Sequence, residues 1–220
     1  MRTQKILFSN QQSLCIFPDD CSHLAQAISM LGLEDGYPVI VLIGGGIQEQ
    51  QAVVTQQAIQ TIAKIAEDMG VMADIGQERG HNQYTFPLVG ITLEALVTWP
   101  DGPRSTNFLW WGKKRWMLAP HYSHFILVPG TEFGDESPWI VDAATILSKV
   151  NRSVTVLMNG GDVSRKDIEL SVEKGCPVIA LNHTGHLADE LSRQFDRHKL
   201  ITIVPANNEH LIVEAVQAAL

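Results

Sequence analysis

A chain of 220 residues that is 45% hydrophobic and 18% charged carries enough apolar material for a large core, and no stretch is polar enough to stay disordered. Sixteen Lys and Arg against twenty-four Asp and Glu leave a net charge of -8, which repels a polyphosphate backbone and argues against nucleic acid as a partner. No apolar run reaches the ~18 residues that cross a bilayer, and Cys15, Cys21 and Cys176 form an odd, sparse set without Cys-x-x-Cys spacing.

Short apolar runs then alternate with amphipathic segments, the pattern of buried parallel strands joined by covering helices. Met1-Arg-Thr-Gln-Lys leads into an edge strand at Lys5 to Phe8 rather than into a signal peptide. Val39 to Ile43 predicts a strand that ends in Gly44-Gly45-Gly46. From Gln48 onward the apolar positions 59, 62, 66, 69 and 73 keep helical spacing, so one continuous helix is expected across Met69 and Gly70. Pro87 to Leu93 predicts a further strand. Trp99 to His121 breaks the rhythm with Pro100, Pro103, Pro120 and the cluster Trp110-Trp111-Gly-Lys-Lys-Arg-Trp116. That segment, near 99–121, reads as an insertion or lid that covers the end of a sheet, forms a subunit contact or stacks on a base. Phe125 to Val128 ends in Pro129-Gly130, and Ser137 to Lys149 opens a helix with Ser137 as N-cap and Pro138 at the first helical position. Val154 to Met158 ends in Asn159-Gly160-Gly161, and Asp162, read as an N-cap, opens a helix that Gly175 closes. Val178 to Leu181 ends in Asn182-His183-Thr184-Gly185; Leu200 to Val204 makes another strand, and Asn207 to Leu220 a last helix. The expectation is a single α/β domain over 1–220, a doubly wound, mostly parallel sheet with helices on both faces.

In such a sheet the carboxyl ends of the strands share one edge, where loops and helix N-termini converge on a ligand. Glycine lets backbone amides approach a phosphate there, which points to Gly44, Gly45, Gly46, Gly130, Gly160, Gly161 and Gly185. The strict fingerprints are absent: Gly44-Gly-Gly-Ile-Gln-Glu has neither the Lys-Ser/Thr of a P-loop nor Gly-x-Gly-x-x-Gly spacing. Thr184-Gly185-His186 reads as the best phosphate seat, with Thr184 as hydroxyl donor and His186 able to carry charge. Asp135 and Glu136 stand together at a helix start, where carboxylates bind ribose hydroxyls, hold a metal, act as acid and base, or cap the helix. His121 and His124 lack a completing Cys or Asp/Glu cluster, so neither a metal nor a resident cofactor is expected.

Taken in order, Leu31-Gly-Leu33 leading into Val39 to Gly46, Gly70-Val-Met-Ala-Asp-Ile-Gly76, His121-Tyr-Ser-His-Phe-Ile-Leu-Val-Pro-Gly130, Gly134-Asp-Glu-Ser137, Asn159-Gly-Gly161 and Thr184-Gly-His-Leu-Ala-Asp189 make a set. In these residues the chain resembles the prokaryotic LSDAT group of the SLOG superfamily, Rossmann-like proteins related to the cytosolic N-terminal region of TRPM channels. The resemblance implies a sensor or effector domain that binds a nucleotide-derived phosphorylated signal of NAD or ADP-ribose type. Phosphate would sit at Gly44 to Gly46 and Thr184 to His186, and ribose near Asp135, Glu136 and Asn159. Related LOG-type proteins hydrolyse nucleoside monophosphates, which leaves open a hydrolase with Glu136 as catalytic carboxylate and Asp135 assisting. Two departures stand out. Gly185-His186 replaces the family's Gly-Arg, exchanging a permanent bidentate cation for a titrating one. Ile62 to Met69 runs straight into Gly70, where the family has an apolar strand and a Gly-Gly-Thr-Asp turn. The second predicts weak ligand binding or none, and with it a third reading, a structural or assembly protein. A homo-oligomer in the cytoplasm, with a small-molecule partner and no membrane or nucleic acid, completes the expectation.

Overall fold

The apolar runs become strands buried as the interior of a parallel sheet requires, and Ser153–Asn159 is buried at every position. The computed structural model describes residues 1–9, 11–33, 36–45, 51–69, 76–102, 115–148, 152–194 and 198–220. In chain order, β1 (Arg2–Phe8) and β2 (Gln11–Phe17) precede α1 (Leu24–Met30) and β3 (Val39–Gly45). Helices α2 (Ala52–Met69) and α3 (Gly76–His81) lead to β4 (Val89–Leu93) and the two-residue strands β5 (Val97–Thr98) and β6 (Trp116–Met117). Strand and helix then alternate: β7 (His124–Val128), α4 (Ser137–Ser148), β8 (Ser153–Asn159), α5 (Asp162–Glu173), β9 (Val178–Asn182), α6 (His186–Arg193), β10 (Ile201–Pro205) and α7 (Glu209–Ala219).

One sheet has the order β10-β9-β8-β3 and is parallel throughout. Its two faces are separated by residue parity, as pleating demands. Val154, Val156, Ile179 and Leu181 pack under α2 and α7, whereas Leu157, Val178 and Ala180 pack under α5 and α6. The other sheet has the order β1-β2-β7-β4; β2, β7 and β4 are parallel, and β1 joins β2 as an antiparallel edge. The β1–β2 hairpin extends the edge strand expected at Lys5 to Phe8 and adds β2, which the strand reading had passed over.

The single sheet expected from the alternation is therefore divided. Among the described residues no ladder joins β3 to β4. The two strands instead line an apolar cavity of about 80 Å³, with Val39 and Val41 on one side, Val89 and Ile91 on the other, and Ala143 and Leu147 of α4 beside them. One apolar cluster crosses this seam, since Val39 and Val41 pack with Leu93, Ile126 and Trp139. Ile62 to Met69 is helical, as its spacing predicts, and supplies no strand to fill the gap. Within α2 the apolar period is met strictly: Ala58, Ile62 and Ala66 are each 0% exposed. The expected start of this helix at Gln48, its continuation beyond Gly70, Gly46 and the Trp110–Trp111 cluster lie outside the described residues. Among the described residues no helix is long and apolar enough to cross a membrane.

Candidate functional site

Winding changes direction at β3. The chain leaves its carboxyl end to build β4 and β7 on one side, then returns to pair β8 on the other, which makes this end the natural place for a crevice. An open cavity of about 530 Å³ lies there, enclosed by the end of β3, the loop after β7, the start of α4 and the start of α5. Leu42 and Ile140 line both this cavity and the apolar gap between the sheets.

Gly44 and Gly45 form one wall. Gly44 is dictated by close approach: a Cβ there would sit 2.1 Å from the Met158 carbonyl oxygen of β8. Behind the wall, the strand ends are tied together by side chains. Asn159 Nδ2 donates to the Gly45 carbonyl at 2.7 Å, and the Asn159 amide donates to Thr184 Oγ1 at 2.7 Å. Thr184 Oγ1 donates in turn to the Leu181 carbonyl at 2.6 Å. Asn159 is 1% exposed and Thr184 0%. The Thr184 hydroxyl, expected as a donor to phosphate, is thus spent inside the protein as a strut, because a buried hydroxyl satisfies itself on neighbouring backbone. Gly160 and Gly185 are buried behind the same wall, with φ of +85° and +102°, and the Leu187 amide at the start of α6 donates to the Gly160 carbonyl. His186 is exposed, and neither it nor Thr184 lines the cavity.

The helix start that does line the cavity is that of α5, through Gly161, Asp162, Val163 and Ser164. Gly161 occupies the N-cap and, among the described residues, no side chain caps the helix; Asp162, expected at that position, falls in the first turn instead. First-turn amides not taken by a side chain are an anion-binding feature. Ser137, expected to cap α4, also fails to do so. Its Oγ is buried and has no hydrogen-bond partner among the described residues, and the Ile140 amide bonds to the Glu136 carbonyl in the first turn.

The adjacent acids separate. Asp135 Oδ2 accepts the Thr131 and Glu132 amides at 2.9 and 3.2 Å, so its carboxylate holds the turn that carries it. Gly130, outside the cavity lining, packs behind that turn; a Cβ there would meet Leu93 and Asp135. Glu136 lines the cavity, half-buried, with Oε2 accepting the Gly134 amide at 2.8 Å. Lys166 Nζ donates to the Gly134 carbonyl at 2.5 Å and ties α5 to the same turn.

Phe133 and Asp167 are among the cavity residues that the sequence reading did not single out. Phe133 is 58% exposed at the cavity wall, in the turn between Gly130 and Gly134. Asp167 is 4% exposed on α5. Burial pushes the Asp167 carboxyl above the usual range; the Glu136 charge adds to this, while the Ser137 hydroxyl and Lys166 partly offset it. A signal for Asp167 existed: Ser164, Asp167, Ile168 and Ser171 form the buried stripe of α5, and an acid in such a stripe is out of place without a task.

With this geometry in view, a family model described as SLOG in TRPM, prokaryote, matches residues 37–219. The chain belongs to the prokaryotic SLOG-in-TRPM family. The match spans β3 to α7 and so contains the whole parallel sheet and the cavity. Solved structures share the fold of this SLOG chain at low identity. A structural-genomics target designated TM1055 aligns with TM-score 0.52 and 16% identity, covering 82% of the SLOG chain and 99% of its own. The molybdenum cofactor binding protein of Rippkaea orientalis aligns with TM-score 0.53 and 14% identity over 83% and 96% of the two chains. The Moco carrier protein of Chlamydomonas reinhardtii gives 0.51 and 16% over 84% and 99%. No curated protein matches the SLOG chain.

Proposed function

We propose that this protein binds a small phosphorylated, nucleotide-derived ligand in the cavity at the end of β3, as a sensor or carrier rather than through obligatory turnover. The observation that carries the reading is the convergence at one strand edge of Gly44, Gly45 and the side-chain-free start of α5 around an open cavity of about 530 Å³. The phosphate belongs against the α5 amides and the glycine wall, and the planar part of the ligand against Phe133. This moves the phosphate seat from Thr184–His186 to Gly161–Ser164. Family membership supports a ligand-binding role, and two fold relatives are named for a molybdenum cofactor, also a small molecule.

The missing strand does not remove the cavity, whose described walls come from β3, α4, α5 and the loop after β7. That supports binding over the purely structural reading. The hydrolase reading loses Asp135 as assisting group, since that carboxylate is committed to its turn.

A thermal-shift screen of adenosine and guanosine monophosphates, ADP-ribose and NAD tests the proposal. At a hundredfold excess over Kd a ligand adds about 2.7 kcal/mol, which in a chain of this size raises Tm by roughly 5–10 °C. Stabilisation without products by chromatography fits a sensor or carrier, and product release fits a hydrolase. No stabilisation by any of them, with a stable oligomer in solution, would leave the assembly reading.

A further inference from the structure

Asp167 is a cavity residue whose acidity the fold does not use. It is 4% exposed, lines the cavity, and its buried Oδ1 has no hydrogen-bond partner among the described residues. Beside it lies Ser137, 0% exposed, whose Oγ is equally unpartnered. The hydroxyl is close enough to favour the ionised carboxyl, yet the two do not meet hydrogen-bond geometry. Glu136, on the same wall, brings a second negative charge that opposes ionisation further. An apolar residue at position 167 would be buried beside Ile168 without any of these costs. A buried acid kept against such costs, with bonding capacity left over, marks a place where another molecule supplies the missing donors.

The chemistry of those donors follows from the side chains. A carboxylate accepts and does not donate, a serine hydroxyl does either, and the apolar part of the wall comes from Leu42, Ile140, Val163 and the exposed ring of Phe133, with polar Asp162 and Ser164 at the start of α5. We propose that Asp167, assisted by Glu136 and Ser137, is the recognition residue of this cavity and takes a ligand edge with adjacent N–H or O–H donors. Two chemical groups present that edge: the amino-substituted face of a heterocycle and the vicinal hydroxyls of a sugar. The inference rests on the ligand-binding reading given above.

Calorimetric titration of the full chain with guanosine 5′-monophosphate, inosine 5′-monophosphate and ribose 5-phosphate tests it, with the wild type and Asp167→Asn side by side. The amide keeps the shape and removes the charge. The variant is expected to lose about 10- to 100-fold in affinity for any probe the wild type binds, the worth of a hydrogen bond to a charged group. Without ligand it should melt at a higher temperature than the wild type, because an ionised group no longer has to be buried. Preference of the wild type for the guanosine over the inosine nucleotide assigns the edge to the heterocycle; equal loss with ribose 5-phosphate assigns it to the sugar. Wild-type affinity in the variant overturns the inference and leaves the ligand-binding reading standing. A ligand-free variant less stable than the wild type also overturns it, since Asp167 would then be structural. Failure of the wild type to bind any of the three overturns the inference, and the ligand-binding reading falls with it only if adenosine monophosphate, ADP-ribose and NAD also fail to bind.

Discussion

The Thr184 hydroxyl joins two strands at their carboxyl ends, accepting the Asn159 amide of β8 at 2.7 Å and donating to Leu181 of β9 at 2.6 Å. Asn159 is held there with φ +62°, a conformation that a non-glycine residue keeps only when its neighbours enforce it. Thr184→Val keeps the volume and leaves a buried amide unpaired, so it should cost about 1–3 kcal/mol in urea unfolding. Thr184→Ser should restore most of this. Equal stability of the valine and serine variants would show that the strut carries no weight.

Gly44→Ala places a methyl carbon 2.1 Å from the Met158 carbonyl oxygen, a contact that backbone must move to relieve. The variant should lose roughly 2–4 kcal/mol of stability and also lose nucleotide binding, because the shift separates β3 from β8 at the cavity wall. Gly161→Ala lies in open space by the same measure and should remain near wild type in stability. Chemical denaturation of the pair separates close approach from a general intolerance of alanine in these loops.

Phe133 is more than half exposed, so Phe133→Ala removes little buried surface and should change stability by no more than about 0.5 kcal/mol. If the ring stacks on the planar part of the ligand, affinity should fall by about 1–3 kcal/mol. Calorimetry against unfolding free energy reads the two apart. Affinity unchanged in the alanine variant would remove Phe133 from the site.

Two groups make stability fall on acidification in separate pH windows. His124 has its pKa lowered by burial, with a further push from the Arg79 charge, and its Nδ1 lies 2.8 Å from Ser123 Oγ. The unfolded chain therefore takes up a proton that the folded chain refuses, and stability should fall as pH drops below about 6.5. Glu67 acts in the same direction at lower pH, although the cause is different. Burial works to raise its carboxyl, but the Thr85 and Phe86 amides and the Thr85 hydroxyl outweigh this and hold it low. Its contribution is complete above the ordinary glutamate value and is lost only as pH falls through the depressed one. Equilibrium unfolding from pH 8 to 3 should show the His124 loss first, and His124→Gln should flatten that limb alone.

The parallel core was legible because burial on both faces leaves unbroken apolar runs: Val154 to Met158 and Val178 to Leu181 appear as strands where the sequence suggests them. The site was legible only in part. Glycines at strand ends announce an edge, yet several turns carry them, and which turns enclose a cavity depends on the packing of α4 against α5. Asp135 and Glu136 are neighbours in sequence, but a turn closed by one of them aims the other elsewhere. Asp167 was hidden because helix periodicity places it without revealing that its neighbours give it no partner. β2 was missed because Gln11–Phe17 is a parallel neighbour of β7 on one side and a hairpin arm on the other, a pairing that no local signal announces.

The seam between β3 and β4 has a mechanical consequence. Four strands on each side are stitched by backbone hydrogen bonds, whereas across the seam, among the described residues, the halves adhere through side chains around the apolar cavity. Hydrostatic pressure acts on such voids, since unfolding that eliminates them reduces volume. Under pressure the two sheets should therefore part before either frays, so that amide exchange divides the chain into two cooperative units whose boundary runs along the wall shared by Leu42 and Ile140.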